Sequence, residues 1–98
     1  MVKISVVVLT KNEENNIREC LASVKGWADE ILIIDDESAD NTIKIAGEFT
    51  DRIIKRKMDV EGTHRNLASS LVRNQWVLSL DADEQVSKEL QEEIGQVI

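Results

Sequence analysis

The stretch that decides the fold of this chain is Trp76-Val77-Leu78-Ser79-Leu80-Asp81-Ala82-Asp83-Glu84. Its first part is an apolar run of strand length, and a run that is apolar on both faces is typical of a strand buried in a parallel sheet. The run stops on three carboxylates within four residues. Because ligands of open α/β sheets bind outside the carboxyl ends of the strands, this acidic end is a candidate site.

The pattern Asp81-x-Asp83 suggests a metal site. Two carboxylates about 5 Å apart repel by roughly 3 kcal/mol at an effective dielectric of about 20, so a close pair needs a cation, a proton or solvent. Oxygen ligands at an open site favour Mg²⁺ or Mn²⁺, which keep waters and accept substrate phosphates as further ligands. The competing interpretation is a solvated turn before a helix capped by Ser87. This pattern alone leaves both open.

The composition is that of one soluble globular domain, since the chain has 98 residues, 42% hydrophobic and 32% charged. The net charge of −7 argues against nucleic acid and anionic membranes as primary partners. One cysteine, Cys20, permits no internal disulfide and fits a reducing compartment. No apolar stretch approaches the ~20 residues that span a bilayer, and no signal peptide is recognisable, so a cytoplasmic location is expected.

The chain alternates strand-like and helix-like segments. Apolar, β-branched runs predict strands at Ile4 to Leu9, Glu30 to Ile34, Arg52 to Arg56 and Gln75 to Leu80. Amphipathic spacing predicts helices at Glu14 to Lys25, from Ser38 or Asp40 to Phe49, from Gly62 to Val72, and from Ser87 onward. The second helix is expected to bury Ile43, Ala46 and Phe49, and the last carries Leu90, Ile94 and Val97 on one face. The order β-α-β-α-β-α-β-α predicts an α/β fold with a parallel sheet.

Polar clusters follow three of the predicted strands. They are Thr10 to Glu14 after the first, Asp35 to Thr42 after the second, and Asp81 to Glu84 after the fourth. Because the carboxyl ends of parallel strands share one edge of the sheet, these clusters are expected to form a single site.

Four segments of the sequence carry a family resemblance. They are Ser5 to Glu14, Ala28 to Thr42, Gly62 to Ala68 and Trp76 to Glu84. In order and spacing they resemble the family 2 glycosyltransferases of the GT-A fold, especially the branch of lipopolysaccharide-core β-glucosyltransferases. The resemblance implies a Rossmann-like open sheet with the strand order 3-2-1-4.

The resemblance covers only the first part of such an enzyme. It implies that residues 1–98 form the nucleotide-sugar-binding half, and that the acceptor-binding half and the catalytic base follow Ile98. The fragment alone is then expected to bind a donor without transferring sugar. It also implies that Trp76 to Leu80 is a bare edge strand, through which we expect a homo-oligomer.

The resemblance assigns roles to individual residues. Thr10 and Glu13 resemble positions that line the nucleoside pocket, and the Asp35-Asp36 pair resembles the acids that contact the uracil or ribose of a UDP-sugar. Arg65 and Asn66 resemble a pair that lies near the nucleotide and its phosphates. Asp81 resembles the position directed to the ribose or metal, and Asp83 the metal ligand. Glu37 departs from the family, which commonly has a small residue, often Gly, at this position.

The implied partners are a nucleotide-sugar donor and a divalent cation. The donor is a UDP-hexose, with UDP-glucose first, and the cofactor is Mn²⁺ or Mg²⁺. The acceptor is a saccharide or a lipid-linked sugar, held by the following half. The implied setting is cell-envelope polysaccharide or lipopolysaccharide synthesis, in the cytoplasm or at the inner face of the membrane.

Two other functions stay open at this point. A nucleotidyltransferase has a related sheet and acidic metal site, but it usually has a Gly-rich, basic loop after the first strand, which Thr10 to Glu14 is not. A dinucleotide-binding domain is not among them, because it would need G-x-G-x-x-G at that place and the pattern is missing. From another class, the chain could be a non-enzymatic α/β interaction module.

Overall fold

The computed structural model describes residues 3–57, 72–74 and 76–97. The elements, in chain order, are β1 (Ile4–Thr10), α1 (Ile17–Ala22), β2 (Glu30–Asp35), α2 (Thr42–Ala46), β3 (Ile53–Lys55), β4 (Trp76–Asp81) and α3 (Lys88–Val97). The helix predicted from Gly62 lies outside the described residues. For the rest, the predicted alternation of strands and helices is confirmed.

The strands form one parallel sheet in the order β3-β2-β1-β4, which confirms the predicted fold class and strand order. β1 is central, and its Val8 pairs with Ile33 of β2 on one side and with Leu80 of β4 on the other. Neighbouring strands of a sheet lie about 4.8 Å apart. The carboxyl ends of β2, β1 and β4 therefore lie side by side at one edge.

Each face of the sheet carries an apolar cluster. Val6 and Val8 of β1 face the helices α1 and α2, and Val7 and Leu9 face the opposite side. Every residue of β1 is buried, as its continuous apolar run predicts. The first cluster also includes Ile17, Cys20, Leu21, Val24 and Ala46, and the second includes Leu32 and Ile34, with Ile54 and Val72 packed against it.

The first two helices are shorter than predicted. α1 begins at Ile17 rather than at Glu14, and residues 14–16 before it form a turn in which the N–H groups of Asn16 and Ile17 both donate to the Glu13 carbonyl oxygen. α2 ends at Ala46, and Phe49 after it is only half-buried, contrary to the prediction, because it lines an open cavity. Ile43 is also half-buried, whereas Ala46 is buried as predicted.

The strand β4 is an edge strand within the described part of the chain. Its side chains Trp76 and Val77 are 43% and 42% exposed, while Leu80 is buried. The expectation that this strand is buried on both faces is therefore wrong for most of its length. Within the described residues β4 is paired only with β1, which agrees with the bare edge that the family resemblance implies.

The helix α3 begins as predicted, because the Ser87 hydroxyl accepts a hydrogen bond from the backbone N–H of Leu90 at 3.1 Å. No residue of α3 is buried, and Val97 is 80% exposed. None of the described helices is long and apolar enough to cross a membrane.

Candidate functional site

The end of β1 is joined to the segment that follows β2. The backbone N–H of Asp36 donates to the carbonyl oxygen of Thr10 at 2.9 Å. The Asp36 carboxylate lies 3.7 Å from the Lys11 ammonium, and its side chain is 13% exposed. The Thr10 hydroxyl is buried without a hydrogen-bond partner among the described residues. Because a buried hydroxyl is usually hydrogen-bonded, Thr10 has unused hydrogen-bonding capacity.

The two acids of the Asp35-Asp36 pair have different surroundings. The Asp35 side chain is fully buried. Its Oδ1 accepts from the Ser38 hydroxyl at 2.6 Å, and its Oδ2 accepts from the Ser38 backbone N–H at 2.9 Å. Asp35 therefore stabilises the turn after β2, whereas the Asp36 carboxylate reaches the surface.

The segments 11–16 and 36–41, here called the paired loops, are cross-linked by side-chain hydrogen bonds. Three consecutive N–H groups, those of Asn12, Glu13 and Glu14, donate to side-chain oxygens of the β2–α2 region. The acceptors are Ser38 Oγ at 2.8 Å, Thr42 Oγ1 at 2.9 Å and Asp40 Oδ2 at 3.2 Å. In the opposite direction, Ala39 N donates to Asn12 Oδ1 at 2.7 Å, and Asn41 N donates to Glu14 Oε2 at 3.1 Å. The paired loops therefore form one hydrogen-bonded unit.

Each of the paired loops contains one non-glycine residue in the left-handed region. Asn12 has φ 51° and Glu37 has φ 49°. Asparagine tolerates this conformation well, whereas a residue with a long side chain pays about 1 kcal/mol or more for it. Glu37 is therefore strained at the position where the family commonly has a small residue.

Hydrogen bonds also set the electrostatics of the paired loops. The Thr42 hydroxyl, which donates to Asp40, lowers the pKa of that carboxyl below its ordinary value, with smaller contributions from the N–H groups of Thr42 and Glu14. Asp40 therefore stays ionised at neutral pH and keeps its contact with the Glu14 N–H.

An acidic cleft of about 250 Å³ lies between the ends of β1 and β4. Glu13, Asp81 and Asp83 contribute carboxylates to its lining, and Lys11 contributes an ammonium. Asp81 and Asp83 are both exposed. The backbone keeps this end of β4 in place, because Ala82 N donates to the Leu9 carbonyl oxygen at 3.2 Å.

Buried Cys20 lies beneath this acidic cleft. Its thiol donates to the carbonyl oxygen of Asp81 at 3.8 Å. Burial raises the pKa of the Cys20 thiol to about 11, and the negative charges of Glu84, Asp83, Asp81 and Glu13 contribute to the same shift. The thiol therefore stays protonated at neutral pH, and the shift also reports the negative potential of the cleft.

The side chains of the acidic cleft suit a hard divalent cation whose remaining ligands come from a substrate and from water. Within residues 3–57, 72–74 and 76–97, no group of three or more His, Cys, Asp or Glu side chains is placed to hold an ion. Asp81 and Asp83 offer only oxygen donors, and both face solvent. Mg²⁺ is often bound in this way, through one or two carboxylates, with waters and substrate phosphates completing the shell.

Not every predicted site residue can be placed. Arg65 and Asn66 lie outside the described residues. Thr10 and Asp36 come together at one junction, and Glu13, Asp81 and Asp83 line one cleft. Lys11, to which neither the sequence pattern nor the family resemblance assigns a role, contacts Asp36 and also lines the cleft.

A larger cavity, of about 720 Å³, opens at the opposite edge of the sheet. Among the residues that line it, Glu30 accepts from the Ser5 hydroxyl at 2.7 Å and pairs with Arg52 and Arg73. These charges are compensated within the cavity wall. We therefore assign this network to the stability of the sheet.

Comparison with known proteins assigns the chain to a family. The family model described as Glycosyl transferase family 2 matches residues 5–96. The chain belongs to glycosyltransferase family 2. An uncharacterized glycosyltransferase of Rickettsia felis is 42% identical over 94 residues, which are 96% of this chain and 33% of that protein. As a family 2 glycosyltransferase sequence, the chain thus spans about a third of the length of the curated relatives it matches.

Solved structures confirm the GT-A fold for this family 2 member. The crystal structure of S. aureus TarS in complex with UDP-GlcNAc has a TM-score of 0.74 and 26% identity, over 97% of this chain and 30% of that one. Glucosyl-3-phosphoglycerate synthase from Mycobacterium tuberculosis, in complex with Mg²⁺ and UDP, has a TM-score of 0.62 and 25% identity, over 86% of this chain and 35% of that one.

Proposed function

We propose that this chain is the donor-binding part of a nucleotide-sugar-dependent glycosyltransferase, with a UDP-hexose as its donor. The observation that carries the proposal is the adjacency of two features at one sheet edge. The Thr10–Asp36 junction and the acidic cleft with Asp81 and Asp83 share Lys11 as a lining residue. The similarity to structures that contain UDP-GlcNAc or UDP supports this proposal.

The nucleoside is proposed to bind at the Thr10–Asp36 junction. A carboxylate is an acceptor only, which suits the N3–H of uracil or a ribose hydroxyl. Asp36 is the better candidate of the acidic pair, because both oxygens of Asp35 already accept hydrogen bonds from Ser38. The unpartnered Thr10 hydroxyl can donate to or accept from the same nucleoside.

The phosphates are proposed to lie toward the acidic cleft and not in the loop after β1. Phosphate-binding loops present free backbone N–H groups to the anion. Here the N–H groups of Asn12, Glu13 and Glu14 already donate to side chains of the β2–α2 region. This occupation also argues against the nucleotidyltransferase and dinucleotide-binding alternatives, which rely on such a loop. Arg65 and Asn66 are proposed to approach the phosphates.

Asp83, with Asp81, is proposed to hold a divalent cation, Mn²⁺ or Mg²⁺. When bound, the cation would act as a Lewis acid that neutralises charge on the departing diphosphate. The carboxylates Asp81 and Asp83 would anchor it to the end of β4. Lys11 at the rim of the cleft would add a positive charge on the side of the nucleoside.

The proposed reaction is an inverting displacement at the anomeric carbon of the donor sugar. An acceptor hydroxyl forms the new glycosidic bond as the bond to the nucleoside diphosphate breaks, and a general base takes the proton of that hydroxyl. The carboxylates described at this edge are assigned to the nucleotide and metal or to the paired loops. We therefore propose that the base and the acceptor surface come from residues outside 1–98.

The donor sugar and the biological setting are proposed on resemblance alone. They are UDP-glucose and a saccharide or lipid-linked acceptor in envelope polysaccharide or lipopolysaccharide synthesis. A cytoplasmic location, with peripheral contact to the inner face of the membrane, would suit that role.

Calorimetric titration of the purified chain with UDP, in the presence and absence of Mn²⁺, tests the proposal. We expect saturable binding of UDP that strengthens at least tenfold with Mn²⁺. Uridine is expected to bind in a metal-independent manner. Tighter binding of nucleoside triphosphates than of UDP would favour a nucleotidyltransferase, and no binding of any nucleotide would favour an interaction module.

A further inference from the structure

We propose that Ser38 is a positioning residue for the nucleoside, acting through Asp36. The inference rests on the proposed function and deepens it, since it names a residue that decides how tightly the nucleoside end is held. Ser38 itself is not expected to touch the ligand.

Ser38 connects two strand ends through three hydrogen bonds. Its hydroxyl donates to Asp35 Oδ1 at 2.6 Å and accepts from the backbone N–H of Asn12 at 2.8 Å. Its own backbone N–H donates to Asp35 Oδ2 at 2.9 Å. The hydroxyl thus links the buried acid of β2 to the loop that follows β1.

This link restrains the backbone turn that carries Asp36. Asp36 follows the anchored Asp35 directly, and its own N–H is bonded to the carbonyl oxygen of Thr10. Removal of the Ser38 hydroxyl would leave Asp35 Oδ1 and the Asn12 N–H without their partner. The turn that carries Asp36 would keep the bond from the Ser38 N–H to Asp35 and the bond from Ala39 to Asn12, but it would lose the hydroxyl that links Asp35 to the loop after β1.

A helix-capping role does not account for the Ser38 hydroxyl. The residue at the N-cap of α2 is Asn41, and no side-chain capping bond is formed there. The bond from Ser38 to Asn12 spans 26 positions in the sequence, which is a tertiary contact and not a local cap. Its effect is therefore expected on the geometry of the paired loops.

The test compares Ser38→Ala with a matched control, Thr50→Val. The Thr50 hydroxyl also donates to a β2 acceptor, the Ile31 carbonyl oxygen at 2.8 Å, and accepts from a backbone N–H, that of Arg52 at 3.1 Å. Thr50, however, lines the cavity at the opposite edge of the sheet. Both variants lose one hydroxyl and two hydrogen bonds, so both are expected to lower the melting temperature.

The expected difference lies in the affinity for uridine. Ser38→Ala should weaken uridine and UDP by the same factor, about fivefold to tenfold, as expected for a lost hydrogen-bonded constraint. Thr50→Val should leave both affinities unchanged. Equal affinities in the two variants would overturn the positioning role while leaving the proposed function in place.

A double-mutant cycle with Asp36→Asn separates positioning from general destabilisation. If Ser38 acts through Asp36, then Ser38→Ala should cost less than twofold in uridine affinity when Asp36 is already Asn. Its effect on melting temperature should persist in that background. An additive effect on affinity would contradict the inference, and failure of the parent chain to bind uridine or UDP would overturn the proposed function together with it.

Discussion

The backbone N–H of Asp36 donates to the carbonyl oxygen of Thr10 at 2.9 Å, so the half-buried acid after β2 is fixed against the end of β1. Asp35, one residue earlier, is fully buried and bonded to Ser38 through both oxygens. Two adjacent acids of identical chemistry are thereby assigned to different tasks. The paired variants Asp35→Asn and Asp36→Asn make this assignment measurable.

Asp35→Asn is expected to destabilise the fold, because its amide would direct a donor at one of the two Ser38 donors. The two donors that would then face each other should cost about 1–3 kcal/mol of unfolding free energy, measured by urea denaturation. Asp36→Asn should cost less of that free energy than Asp35→Asn and weaken uridine binding about tenfold. The reverse pattern would contradict the assignment of the two acids.

Asp83→Asn should abolish most of the metal dependence of UDP binding. Asp83 is exposed at the end of β4, so its loss should leave the fold intact. The affinity for UDP with Mn²⁺ should fall at least tenfold, which is about 1.4 kcal/mol. Glu92→Gln, on the exposed face of α3, removes the same charge away from the cleft and serves as the control. Identical titrations for both variants would refute Asp83 as a ligand.

Glu37→Gly should stabilise the chain, because glycine adopts the left-handed conformation without the penalty that a side chain carries. The strain relieved is about 1 kcal/mol, and the greater freedom of glycine in the unfolded state offsets part of it. Asn12→Gly is the control at the second left-handed position, where the lost side chain also breaks the bond to Ala39. Melting curves should move upward for Glu37→Gly and downward for Asn12→Gly. A lower melting temperature for Glu37→Gly would show that Glu37 makes a compensating contribution.

Alkaline pH should destabilise the chain through Cys20. The thiol of an unfolded chain has a pKa of about 8.5. In the folded chain burial raises the pKa to about 11. Between these values the unfolded state loses a proton that the folded state retains, so the unfolding free energy decreases as pH rises. Urea denaturation at pH 7, 9 and 10 should show this decrease. Cys20→Ala should reduce the slope, and an unchanged slope would assign the loss to other groups.

The exposed edge of β4 leads us to expect self-association of the chain. Unpaired strand edges with apolar side chains pair readily with other strands, and Trp76 and Val77 are both more than two-fifths exposed. Val77→Lys should shift sedimentation toward the monomer at high protein concentration. Val97→Lys places the same charge on the exposed end of α3 and should have less effect. A parent chain that sediments as a monomer at high concentration would contradict the expectation.

The predictions from sequence were most accurate for strands whose bounds and burial follow from their own residues. The continuous apolar runs of β1 and β2 predict both their bounds, within one residue, and their burial on two faces. The strand order came from the family resemblance, since periodicity cannot say which strands are neighbours. Burial of β4 was mispredicted because a run of apolar residues does not reveal whether a strand has one neighbour or two.

The arrangement of the paired loops depends on contacts between residues that are far apart in the sequence. The bond between Asn12 and Ser38 spans 26 positions, and the bond between Glu13 and Thr42 spans 29. No local pattern predicts that these polar groups satisfy one another across the sheet edge. The spacing Asp35-x-x-Ser38 is a recognisable turn signal that favours a structural role for Asp35. It does not reveal that the Ser38 hydroxyl also accepts a bond from the loop after β1.

The hydrogen bonds between the paired loops limit which side chains can be replaced there, in evolution or by design. A new side chain at position 12 alters an acceptor for Ala39, and a new one at position 38 removes an acceptor for Asn12. Either change alone leaves a polar group unmatched. Altered nucleoside preference is therefore more accessible to libraries that keep a hydrogen-bond acceptor at both positions than to fully random replacement. In a set of descendants, positions 12 and 38 should each retain a side chain that accepts a hydrogen bond.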